Sequence, residues 1–196
     1  MKIRYGFLLL GIVILLPGLV AAQADPDPEG LGLYTDLEAT QNWIQVEPFV
    51  PFQFYVIATH PVADEVVGWM AVFNQPEGLT IYAMEHFGSP TVVYEMFGNG
   101  LLGGVNSRCV GIGSGPIVVL ARLTAMVSDA EPKYISFSDG SESNLYPPPI
   151  YFECHLDTHI CTPSSGDYGV PLFAVNGEAP VAEESVSWSA VKTLYR

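Results

Sequence analysis

The sequence predicts an all-β sandwich, and three observations predict it. Apolar residues alternate with period two along most of the chain, clusters of Gly, Pro, Asn and Asp interrupt those runs, and the body of the chain sustains no helical period. Short strands separated by turn signals, with no helical layer to cover them, close as two antiparallel sheets face to face.

The first residues stand apart from that pattern. Lys2 and Arg4 precede an apolar run from Phe7 to Leu16, and Ala22-Gln23-Ala24 supplies a small-residue cleavage site. This is the layout of a secretory signal peptide over residues 1–24. Pro17 and Gly18 break the run, which favours cleavage over a membrane anchor. Nothing later reaches the roughly 18 uninterrupted apolar residues that a spanning helix needs. A short acidic leader, residues 25–29, then leads into a domain expected over residues 30–176. Residues 177–196 read as a linker and C-terminal tail, in which Trp188, Val191 and Tyr195 recur at helix-like spacing.

Within the domain each strand is justified by its own alternation. FQFYVIATH aligns Phe52, Phe54, Val56 and Ala58 on one face, and VVGWMAVFN aligns Val67, Trp69, Ala71 and Phe73. GLTIYAME sets Leu79, Ile81 and Ala83 against Thr80, Tyr82 and Met84. The longest run, PIVVLARLTAMVS, places Ile117, Val119, Ala121, Leu123, Ala125 and Val127 together, with Arg122, Thr124 and Ser128 opposite. Shorter strands are expected at LGLYTDL, TVVYEMF, SRCVGI, KYISFS, IYFEC and YGVPLFAV. Opposite the core rows lie Val118, Leu120, Met70 and Val72, which need either a second covering layer or a partner.

Charge excludes one class of function. Removing residues 1–24 takes Lys2 and Arg4 with it, leaving 172 residues with five bases against 21 acids, a net charge of −16. Such a chain repels nucleic acid and anionic lipid. Only 14% of the full chain is charged, below the roughly 25% of typical domains, and the abundance of aromatic and β-branched residues argues for a packed core.

The corner Asn74-Gln75-Pro76-Glu77-Gly78-Leu79, where one strand turns into the next, carries a resemblance. With the order of strands around it, roughly residues 30–153, the chain resembles the cohesin-like and carbohydrate-binding-module-like sandwiches of secreted bacterial proteins. That resemblance implies an antiparallel β-sandwich of jelly-roll or immunoglobulin-like type, used for binding rather than catalysis. It transfers no binding residue.

The chemical motifs are few. FECHLDTHIC, residues 152–161, puts His155, Asp157 and His159 on one side of an extended strand, a zinc-like set. In an oxidising compartment a disulfide between Cys154 and Cys161, closed by a tight loop, is favoured over that metal site. Cys109 is then a small buried apolar residue, or it takes over one of the two partners; both stay open. Asp139, Glu142 and Asn144 offer oxygen ligands for Ca²⁺ but lack the order of a calcium loop, so a solvated turn is favoured and no cofactor is expected. Gly98-Asn99-Gly100-Leu101-Leu102-Gly103 matches a dinucleotide fingerprint without a following helix, and reads as a turn. Ser114 in GIGSG sits one position too late for a nucleophile elbow.

Trp43, between polar neighbours in TQNWIQVEP, is the candidate ligand-binding aromatic, while Trp69 shares a face with core residues. The expected function is a non-enzymatic binding or assembly module, secreted or at the periplasm or cell surface, that holds a protein partner. A carbohydrate-binding module with a polysaccharide partner is the alternative. A hydrolase ranks last, because the 21 acids form no distinctive pair.

Overall fold

The computed structural model describes residues 28–88, 92–95, 101–105, 111–138, 148–154 and 157–180. The signal peptide, Cys109, His155, the loop bearing Asp139, Glu142 and Asn144, and the tail from residue 181 lie outside them.

Among the described residues thirteen strands follow in chain order: β1 (Gly30–Tyr34), β2 (Trp43–Ile44), β3 (Phe52–Thr59), β4 (Gly68–Asn74), β5 (Leu79–His86), β6 (Val92–Glu95), β7 (Leu101–Val105), β8 (Ile117–Val127), β9 (Lys133–Phe137), β10 (Ile150–Phe152), β11 (Thr158–Ile160), β12 (Thr162–Pro163) and β13 (Phe173–Val175). One sheet has five strands in the order β12-β1-β3-β8-β5. The other runs β11-β10-β4-β9-β13-β2, with β7 added on β4 and β6 on β7. The protein is an all-β sandwich, as expected, but its sheets are mixed: β1 pairs β12 and β13 pairs β2 in parallel. Leu101-Leu102-Gly103 belongs to β7, so a strand and not a helix follows the glycine motif.

The expected corner is where the chain changes sheets. β4 ends at Asn74 in one sheet and β5 starts at Leu79 in the other. Gly78 turns it at φ +80°, a left-handed conformation that a side chain disfavours. Gln75 Nε2 donates to the Leu79 carbonyl at 2.6 Å, and the Gly78 carbonyl accepts from Ser128 N at 2.8 Å.

Leu31, Leu33, Phe54, Trp69, Phe73, Leu123, Phe137 and Phe173 fill the space between the sheets. Two bulges redirect the alternation. Val56 faces Ala121 while Ile57 faces Val119, so Leu120 is an extra residue in β8. Ahead of that bulge the core side is Val118 and Leu120, and after it Leu123, Ala125 and Val127. The expected single row from Ile117 to Val127 is thus two rows of opposite parity. In β5, Ile81 faces Ala125 and Ala83 faces Thr124, with Tyr82 extra, so Ala83 is exposed and Met84 packs on the core.

The surface expected from simple alternation is also missing, through the β8 bulge at Val118 and Leu120 and without any bulge on β4. Val118 and Leu120 are core residues, Val72 is buried and Met70 half-buried, so these four do not form an exposed patch.

The cysteine pairing needs a correction as well. β10 and β11 form a hairpin with Phe152 opposite Thr158 and Ile150 opposite Ile160, tied at its tip by Glu153 N donating to the Asp157 carbonyl. Cys154 lies at the tip, whereas Cys161 lies at the open end, where its N–H donates to the Pro149 carbonyl. Five residues of strand, about 16 Å at the usual rise, separate the two positions. A disulfide needs Cα atoms within roughly 7 Å. Cys161 is a free, buried thiol, and Cys154 is disulfide-bonded elsewhere.

Candidate functional site: an apolar groove on the five-stranded sheet

The outer face of the five-stranded sheet is half covered. After β1 the chain folds back over it through a loop that Asp36 holds, its carboxylate accepting from Thr40 N, Thr40 Oγ1 and Gln41 N at 2.7–3.0 Å. That loop presses Ala39 onto Tyr34 and Ile57, a small second core on the outside of the sheet. Gly32 makes room for it: a Cβ there would meet the Tyr34 ring at 2.5 Å.

Beside this cover the sheet stays open. A groove of about 500 Å³ is lined by Leu37, Tyr55, Phe87, Ile112, Ile117 and Val119. Its floor is the first half of β8, which the Leu120 bulge turns so that Ile117 and Val119 face outward. Tyr55 on β3 and Leu37 on the covering loop make one wall. Phe87, just past β5, and Ile112 make the other; Phe87 is fixed there by its N–H donating to the Leu120 carbonyl at 3.1 Å. Arg122 closes one end and pairs with Glu85 across the sheet, in the row Tyr34–Tyr55–Arg122–Glu85.

Two acids stand beside the walls, and a third is paired with Arg122. Glu38 is exposed next to Leu37, and Glu85 stands at the Arg122 end. Glu65 lies over Gly111, where a Cβ would collide with its carboxylate, and so stands beside Ile112.

Sequence reasoning placed Ile117 and Val119 in the core and so missed the groove. A signal was available: IVVLA and VIA are unbroken apolar runs, which mark strands with apolar neighbours on both faces.

Trp43 stands elsewhere, 38% exposed on β2. It is level with Ala174 of β13, which is level with Tyr134 of β9, itself 42% exposed, so the two rings share a face one strand apart.

A third cluster uses the FECHLDTHIC hairpin. Tyr151 Oη donates to Glu29 Oε1 at 3.0 Å and accepts from Val62 N at 3.1 Å. The same Glu29 oxygen lies 3.0 Å from His159 Nδ1, and Glu153 stands 3.7 Å from Nε2. Burial, reinforced by the Glu29 carboxylate, pushes the Tyr151 hydroxyl up to about 12. Burial likewise pushes the Cys161 thiol far up, with Glu29 adding to it, so the thiol stays protonated and is a poor ligand or nucleophile. His159 thus faces a carboxylate at each ring nitrogen. Among the described residues no three His, Cys, Asp or Glu side chains gather around one point.

No protein-family model matches the sequence, and no curated protein matches it. Solved structures do match the fold. The sixth cohesin of scaffoldin B from Acetivibrio cellulolyticus, solved with a dockerin, superposes with a TM-score of 0.53 at 12% identity, over 78% of this chain and 100% of that one. The third ScaB cohesin of R. flavefaciens, also solved with a dockerin, gives 0.50 at 8% identity over 79% and 99%. A Clostridium thermocellum cohesin from a cohesin–dockerin complex gives 0.50 at 8% over 76% and 96%. At these identities the likeness is one of fold, and in fold this chain is similar to cohesin modules across nearly their whole length.

Proposed function

We propose that this protein is an exported, non-catalytic binding module that engages a protein partner through surface complementarity. The groove carries the proposal: a domain with a closed core leaves apolar side chains in an open trough on one sheet face, and such patches on small domains mark contact surfaces. The likeness to cohesins, solved as complexes with dockerins, supports a protein partner. The expected signal peptide supports export, and among the described residues no helix is long and apolar enough to cross a membrane. The test is capture of secreted proteins on the immobilised mature chain, followed by titration of the purified candidate. A saturable complex of fixed stoichiometry is expected; a wild-type chain that retains no secreted protein would sink the reading.

The pair Trp43 and Tyr134 favours a second reading, stacking of a polysaccharide on the other sheet. A polysaccharide pull-down with wild type and Trp43→Ala tests it, and equal retention of both removes it.

A further inference from the structure

We infer that the groove on the five-stranded sheet receives a basic amphipathic helix of about two to three turns from the partner. This rests on the binding-module reading and names the surface and the chemistry of what fills it. The dimensions set the shape of the occupant. From Tyr55 on β3, across β8, to Phe87 at the end of β5 is two interstrand spacings, roughly 10 Å, close to the diameter of a helix with its side chains. Along β8 the floor runs from Ile117 to Arg122, opposite Thr59 to Tyr55, about 13 Å at the rise of a strand, which is the length of about two to three helical turns. An added strand fits less well. The groove lies on a face rather than an edge, and β5, the strand at that end of the sheet, carries a bulge at Tyr82 that interrupts a ladder.

Charge sets the sign. Glu38 next to Leu37 on one wall and Glu65 next to Ile112 on the other flank the apolar floor, Arg122 at its end is neutralised by Glu85, and the formal net charge of the chain is −14. A helix with apolar residues at i, i+3, i+4 and i+7 would lay that stripe on Ile117 and Val119, and lysines or arginines flanking it would meet the Glu38 and Glu65 carboxylates. An acidic helix would be repelled, and a second copy of this acidic chain is a poor occupant for the same reason.

The test uses the mature full chain and a fluorescent twelve-residue helical peptide with a leucine stripe flanked by lysines. Two controls accompany it: a scrambled version, and one with each lysine replaced by glutamate. The basic peptide is expected to bind at least tenfold more tightly than either control, and more weakly as salt is raised. Leu37→Asp, at an exposed wall position, and the double variant Glu38→Lys with Glu65→Lys are each expected to lower its affinity at least tenfold while circular dichroism stays unchanged. Equal binding of the scrambled peptide, or full affinity in both variants, overturns the inference. So does a dimer of the free chain that Leu37→Asp dissolves, which would give the groove to a second copy. A captured natural partner that binds Leu37→Asp as well as wild type overturns the groove assignment and leaves the binding-module reading intact.

Discussion

Tyr151 and His159 lie ring on ring, their centroids 4.7 Å apart and their planes 5° from parallel, and both reach the same oxygen of Glu29. Glu29 sits at φ 57°, and its N–H donates to the His60 carbonyl while its own carbonyl accepts from Thr162 N. One residue at the start of the domain therefore binds the hairpin by side chain and two strands by backbone. Replacing Glu29 with Gln keeps the shape and weakens the charge-assisted bonds, and should cost about 1–2 kcal/mol in urea unfolding. Glu29→Ala should cost more than Glu29→Gln. Equal, negligible losses in both would show that the cluster is incidental.

The Tyr151 hydroxyl has a consequence at high pH. Its folded value of about 12 exceeds the ordinary 10.0, so the native state keeps a proton that the unfolded chain releases. Stability should fall as pH rises from 10 towards 12, and Tyr151→Phe should flatten that part of the curve. Urea midpoints measured between pH 9 and 12 check this.

His86 works in the opposite range. Its ring lies tilted against Trp69 with centroids 6.0 Å apart, and among the described residues neither of its ring nitrogens nor the Trp69 indole N–H finds a partner. Burial holds its pKa below the ordinary 6.5. The unfolded chain then binds the proton first, so stability is flat above pH 6.5 and declines as pH falls through the folded value. His86→Phe should remove that acid limb from a melting-temperature profile taken between pH 4 and 8; an unchanged limb would assign it to carboxylates instead.

The bulge in β8 separates two adjacent residues that simple alternation would rank the other way. Leu120→Ala should cost about 2–5 kcal/mol, because Leu120 is fully buried between the sheets. Val119→Ala, at a half-exposed position on the groove floor, should cost less than about 1 kcal/mol. A larger loss at Val119 would contradict the register.

The cysteines differ in accessibility. Cys161 should resist alkylation in the native protein and react once it is unfolded. Cys154 is disulfide-bonded and Cys161 is free, so non-reducing peptide mapping should recover Cys154 in a disulfide that excludes Cys161. A Cys154–Cys161 peptide would refute this.

Much of the architecture was legible because alternation and turn chemistry are local. Phe52, Phe54, Val56 and Ala58 line the core as their spacing demands, and Pro76-Glu77-Gly78 announces the corner between sheets. What escaped depends on register. Neither the extra Leu120 nor the extra Tyr82 is marked by a glycine or proline, and each inverts every side chain beyond it, so the groove was read as core and part of the core as surface. The Cys154–Cys161 pairing failed for a related reason: the two were close in sequence, but the hairpin that joins them is too tight to bring them together. The parallel β2 and β12 are two-residue strands, too short to show any period.

The parallel join of β1 to β12 has a mechanical meaning. A tether pulling the front of β1 and the back of β12 apart would slide the two strands along one another, loading their backbone bonds together instead of peeling them singly. β3 flanks β1 on its other side along all five residues and would have to give way in the same event. A module stitched in this way meets a pull along these two strands with shear and not with peeling.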